Sequence, residues 1–189
     1  MSSPVALIDA NVLYAAPLRD LLMQLALSRL FRPRWTARIN DEWTRNLLAN
    51  RPDITTDQVE FTKAMMIRAV PDSIVEGYEG LISILQLPDP GDRHVLAAAI
   101  KTEADVIITL NRKDFPSEAL YPHCIEVQHP DEFFSVLSEL APEGVIAAAR
   151  ECRARLVRPV ISVEDYLTVL MRQGLLATAA FLQKNGRLI

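Results

Sequence analysis

The chain alternates short, almost wholly apolar runs with longer stretches in which apolar residues recur at helical spacing. PVALID over 4–9 is too short for a helix, is bounded by Pro4 and ends on Asp9, which predicts a buried parallel strand. DVIITL over 105–110 has the same β-branched, apolar form and stops at Asn111, while CIEV over 124–127 and RWTA over 34–37 are weaker strand candidates. Between these runs the spacing predicts helices over 15–31, 40–50, 55–70, 91–104 and 130–140. Their starts carry fitting chemistry: Thr55 with Gln58 makes a capping box, Asp92 follows Gly91, and Pro130 precedes Asp131 and Glu132. Strands alternating with helices predict an α/β fold around a mostly parallel sheet. Beyond Pro142 the strand signals stop, and 142–156, 162–172 and 175–185 read as helices, the middle one capped by Ser162 with Asp165. The expected organisation is an α/β domain over 1–140 followed by an all-helical extension over 141–189.

Composition narrows this only a little. The 189 residues are 50% hydrophobic and 23% charged, values of a folded globular chain with one main core. The two cysteines, Cys124 and Cys152, have no C-x-x-C spacing and no signal segment precedes them, which predicts a cytoplasmic protein. The longest apolar run, 95–100, is far short of the roughly 20 residues a membrane span needs.

Charge changes the picture more. The net charge of -4 hides a lopsided distribution. Residues 29–51 carry Arg29, Arg32, Arg34, Arg38, Arg45 and Arg51 against Asp41 and Glu42, and residues 150–158 carry Arg150, Arg153, Arg155 and Arg158 against Glu151. Residues 53–105 instead hold ten acids and four bases. The basic stretches read either as solvated helix faces or as a stripe for a polyanion.

Several chemistries are excluded. There is no G-x-G-x-x-G or Walker phosphate loop and no G-x-S-x-G elbow; Gly77-Tyr78-Glu79-Gly80 has the spacing of a KH clamp but puts an acid where phosphate would sit. A D-x-D phosphatase motif fails because Asn11 stands where the second acid is needed. His94, His123 and His129 fall in no ligand or triad spacing and read as surface or locally bonded groups. What remains is carboxylates at the edge of the predicted sheet. Asp9 ends the first strand, Asp92 opens the helix before the second, Asp114 follows that second strand, and Glu42 falls in the first turn of the 40–50 helix. Each of the last three has an ordinary local role, as N-cap, turn residue or helix-dipole partner. Asp9 gains little locally at the end of a buried strand. Carboxylates converging there would repel one another unless a cation intervened, and oxygen-only ligands favour Mg²⁺ or Mn²⁺ over zinc.

In their order, VALIDANVLYAA around Asp9, NDEW around Glu42, LPDPGDRHVLAAAI around Asp92 and VIITLNRKDFP around Asp114 resemble the PIN-domain family, which includes the VapC-type toxins of bacterial toxin–antitoxin pairs. The resemblance covers about residues 4–138. It implies a parallel sheet sandwiched by helices and a Mg²⁺- or Mn²⁺-dependent endoribonuclease, with Asp9, Glu42, Asp92 and Asp114 as catalytic metal ligands. Many relatives place the fourth acid where this chain has Asn111, so Asp114 is taken as the ligand, with Asn111 and Thr109 beside the site; Asp89 has no assigned role. Arg93, Arg112, Lys113, Arg38 and Arg45 are candidate RNA contacts, and Trp35, Trp43 and Tyr14 either stack bases or pack in the core. The implied partners are an RNA substrate, a small antitoxin protein and a second copy of the chain, with no membrane. The helical tail, whose motifs are less specific, resembles an extension of some PIN toxins. Two other readings of the acids remain: a non-catalytic RNA-binding or regulatory PIN module, and a structure-specific nuclease acting on DNA.

Overall fold

The structure, a computed structural model, describes residues 3–189. In chain order it runs β1 (Val5–Ile8), α1 (Ala10–Tyr14), α2 (Ala16–Leu27), β2 (Arg32–Arg34), α3 (Ala37–Asn50), α4 (Thr56–Ala69), α5 (Glu79–Ile82), α6 (Arg93–Lys101), β3 (Val106–Ile108), α7 (Ser117–Leu120), β4 (Glu126–Gln128), α8 (Pro130–Leu140), α9 (Pro142–Ala154), α10 (Val163–Arg172) and α11 (Leu176–Lys184). Short 3₁₀ turns, among them Pro90–Asp92 and Arg112–Asp114, join some of these. No helix is long and apolar enough to cross a membrane among the described residues.

These elements form two compact units. One comprises residues 1–14 and 31–129; the other comprises residues 15–30 and 130–189. The partition differs from a break at residue 140 in two places, because α2 and α8 both group with the C-terminal helices. Helical periodicity shows that a helix buries a face but not which element covers it.

The first unit is built on a four-stranded parallel sheet in the order β2-β1-β3-β4. All four residues of β1 and all three of β3 are buried, as expected for central strands of a sheet covered on both faces. Val5 N–H donates to Asp105 Oδ2 at 2.7 Å, so an acid just before β3 pins the start of β1. RWTA is displaced: β2 spans Arg32–Arg34, Trp35 makes an isolated bridge to Ile74, and Thr36 caps α3 by accepting from Ile39 N–H at 3.0 Å. Helix α3 therefore begins three residues before the predicted residue 40. The cap at Thr55 is a full capping box with Gln58. Helix α6 packs on β1 and β3 through the HVLAAA stretch, in which His94 to Ala99 are all buried. Alanines at 97–99 allow this close approach to the sheet while keeping high helix propensity.

The second unit is helical. Helix α2 packs on α9, α8 packs on α9 and α11, and α10 packs on α11 and α2, around Leu21, Leu22, Leu25, Phe134, Val145, Leu170 and Leu182. Ser162 caps α10 by accepting from Asp165 N–H at 3.0 Å. Arginines in the 150–158 stretch are partly spent inside this unit: Arg153 donates to the carbonyls of Ile161 and Ile189, and Arg155 to Gln24 and Cys152. Asp131 in α8 accepts from Ala177 N–H, Thr178 N–H and the Thr178 hydroxyl at 2.7–2.9 Å. One carboxylate thus satisfies the open N-terminus of α11 and ties it to α8. Asp131→Ala is expected to lower unfolding free energy by about 1–2 kcal/mol, measured by urea denaturation, with Asp131→Asn intermediate.

Candidate active site

The carboxyl ends of the parallel strands place Asp9 and Thr109 side by side. Asp9 N–H donates to the Ile108 carbonyl at 3.0 Å, extending the β1–β3 ladder by one residue and turning the Asp9 side chain into a buried niche, 7% exposed. Its carboxylate is fully engaged: Oδ1 accepts from Ala10 N–H at 2.7 Å, and Oδ2 accepts from the Thr109 hydroxyl at 2.7 Å and from Asn11 Nδ2 at 2.6 Å. Asn11 also accepts from Leu110 N–H at 3.0 Å through Oδ1, and the Thr109 hydroxyl accepts from Asn111 N–H at 3.0 Å. The loop after β3 is therefore moulded onto the acid that ends β1. Burial pushes the Asp9 carboxyl above the ordinary range; the Thr109 and Ala10 bonds oppose this, nearby Glu42 adds to it and His94 works against it.

Asp92 stands at the N-terminal boundary of α6, yet its side chain makes no capping hydrogen bond. The ordinary local explanation for this acid therefore fails. Capping falls instead to Asp89, which accepts from Gly91 N–H at 2.7 Å and starts the 3₁₀ turn that leads into α6. Asp92 is pushed up to about 6, first by burial and then by Asp9, Asp114 and Asp89, with His94 partly offsetting them. Asp114 ends the 3₁₀ turn after β3 and accepts from Asn111 Nδ2 on Oδ2. Asn111 is thus a donor that orients Asp114.

Glu42 lies on α3 beyond the first turn, because the helix starts at Ala37. A helix-dipole role is correspondingly weaker. Its Oε1 receives two donors, Arg38 Nε at 3.1 Å and His94 Nε2 at 3.1 Å. Burial pushes the Glu42 carboxyl up, but His94 and then Arg38 outweigh it and hold it below the usual range. Two site residues lie outside the predicted set. His94 is 1% exposed and bonded to Glu42, the opposite of a surface histidine, and Asn11 clamps Asp9. Their only signal in the sequence is position, two residues after Asp92 and two after Asp9.

The side chains predicted to bind RNA divide. Trp35 and Trp43 are buried, with Trp43 Nε1 donating to Asn40 Oδ1 at 3.0 Å, so neither is open to stack a base. Arg38 is committed to Glu42, whereas Arg45, Arg112 and Lys113 are at or near the surface. Arg93 donates to Gln86 from one terminal nitrogen, while its buried Nε has no hydrogen-bond partner.

The carboxylates share a field without closing a cage. Among the described residues, no three Asp, Glu, His or Cys side chains are gathered closely enough to hold an ion as they stand. The donor chemistry nevertheless fits a hard divalent cation: the acids are oxygen ligands, and Asp9 and Asp92, raised first by burial, are raised further by neighbouring carboxylates.

Comparison with known proteins agrees with this architecture. The chain belongs to the PIN domain family, whose profile matches residues 5–113. A second profile, described as the VapC50 C-terminal domain, matches residues 130–184. Over 71 residues the chain is 49% identical to "Putative ribonuclease VapC50" of Mycobacterium tuberculosis (strain ATCC 25618 / H37Rv), a match covering 38% of this chain and 41% of that protein. The matched segment is thus under half of that relative's length. No solved structure matches the chain.

The raised Asp92 carboxyl carries a stability signature. Between the ordinary value of 3.8 and about 6 the folded state retains a proton that the unfolded chain has lost, so stability falls as pH rises through this window. Asp92→Asn is accordingly expected to be more stable than the parent at about pH 8 in chelator, by on the order of 1 kcal/mol after screening at this half-open position. The gain should vanish below about pH 4, as read by urea unfolding across pH.

Proposed function

We propose that this protein is a divalent-metal-dependent endoribonuclease of the VapC toxin type, acting in the cytoplasm and restrained by a small antitoxin protein. The observation that carries the reading is that Asp92, at the end of a PIN-type sheet, is lifted to about 6 by burial and, after it, by the charges of Asp9 and Asp114. The relative named as a ribonuclease and the C-terminal profile support the toxin assignment. Two free cysteines accord with a reducing compartment. All four acids belong to the first unit, so the reading assigns the chemistry to residues 1–14 and 31–129. It leaves the second unit for contacts with other chains, a second copy among them.

In this reading Asp9, Glu42, Asp92 and Asp114 hold Mg²⁺ or Mn²⁺. Such an ion would supply an activated water and offset charge on the phosphate being cleaved. Asp9 is the fixed point, since Thr109, Asn11 and Ala10 already hold both of its oxygens. Asn111 orients Asp114 in the same way. Asp92 is unheld by a cap and lifted first by burial and then by its neighbouring acids, and a cation beside it would offset the repulsion from those acids. Arg93, Arg112, Lys113 and Arg45 are positioned on elements next to the acids or on α3 to meet RNA phosphates, whose binding would weaken steeply with salt.

The test is cleavage of end-labelled structured RNA with Mg²⁺, Mn²⁺ or EDTA, beside Asp9→Asn and Asp92→Asn proteins shown by circular dichroism to be folded. The expected result is cleavage that needs the metal and falls at least about a hundredfold in each variant. RNA binding without cleavage, insensitive to metal, would replace this reading with a non-catalytic RNA-binding module. Cleavage of branched DNA in preference to RNA would point to the DNA-acting class.

A further inference from the structure

His94 stands out among the groups that the preceding mechanism does not use. It is the only histidine buried among the described residues, it sits on α6 two positions after Asp92, and it reaches across to a different helix, α3. Its Nε2 lies 3.1 Å from Glu42 Oε1, while its Nδ1 is buried with no hydrogen-bond partner. Burying an imidazole with one nitrogen unsatisfied costs stability, and the bond to Glu42 is its single polar return. Arg38 Nε donates to the same Glu42 oxygen but from an exposed position on the same helix, where water and mobility weaken it. Both donors fall on Oε1, and among the described residues no hydrogen bond to Oε2 is seen.

We propose that His94 is a positioning residue, which grips one oxygen of Glu42 from inside the core and so presents the other oxygen to a divalent cation shared with Asp9 and Asp92. Asp9 and Glu42 are then both oriented by donors rooted in the fold, Asp9 through both of its oxygens and Glu42 through Oε1. Placing His94 and Asp92 two residues apart on one turn also couples the two helices, so a shift of α6 would move both acids together. This role rests on the metal-dependent reading of the site, but the contact on which it depends can be tested without any metal.

Two variants separate the donor from its bulk. His94→Leu fills the space and removes the N–H, whereas His94→Gln keeps a donor near the position of Nε2. Mn²⁺ binding to the apo-protein, followed by electron paramagnetic resonance, is expected to weaken ten- to a hundredfold in His94→Leu and to stay within about threefold of the parent in His94→Gln. Equal affinity in His94→Leu and the parent would overturn the proposal, as would equal losses in both variants. A double-mutant cycle on urea unfolding, combining His94→Leu with Glu42→Ala, keeps the test decisive where the parent binds no Mn²⁺. Non-additivity of about fivefold or more in the unfolding constant would support the grip and count only against the metal-dependent reading; additive effects would overturn the grip itself.

Discussion

A carboxylate at the end of a central buried strand must be satisfied, and satisfying Asp9 organises everything around it. Water does not reach it freely, so its charge is tolerated only because Ala10 N–H, the Thr109 hydroxyl and Asn11 Nδ2 donate to it. Those donors come from the turn into α1 and from the end of β3. Meeting the needs of Asp9 therefore fixes the strand register at its carboxyl end and shapes the loop that carries Asn111 and Asp114. Structural satisfaction and the assembly of a charged pocket are here the same set of hydrogen bonds.

The pocket that results is electrostatically unbalanced. Asp9 and Asp92 are raised, while Glu42 alone is lowered, because His94 and Arg38 are aimed at it. Carboxylates whose pKa values are pushed apart in this way mark a site where charge is concentrated. Asp92 makes no cap hydrogen bond, and Asp89 caps the turn that precedes it.

Much of this was legible in the sequence, for definite reasons. Strand β1 ending on Asp9 and α6 opening at Asp92 follow from apolar run length and from glycine and proline punctuation, which are local signals. The start of α3 was misplaced because Arg34-Trp35-Thr36-Ala37 looks extended, whereas Thr36 in fact caps the helix. His94 and Asn11 escaped because their significance lies in partners distant along the chain, and no periodicity encodes a hydrogen bond between α6 and α3 or between residues 98 apart. The grouping of α2 with the C-terminal helices was invisible for a similar reason: amphipathicity gives the face and leaves the neighbour open.

The central claim is that the carboxylates at the sheet edge form one electrostatic unit that a divalent cation would neutralise. Carbon-detected NMR of the Asp92 side chain, titrated with and without Mg²⁺, measures this directly. The account predicts a metal-free midpoint near 6, displaced downward by Mg²⁺, and a smaller downward displacement when Asp9 is replaced by Asn, since burial and Asp114 still act on it. A midpoint in the ordinary carboxylate range, unmoved by Mg²⁺ and by the loss of the Asp9 charge, would contradict it.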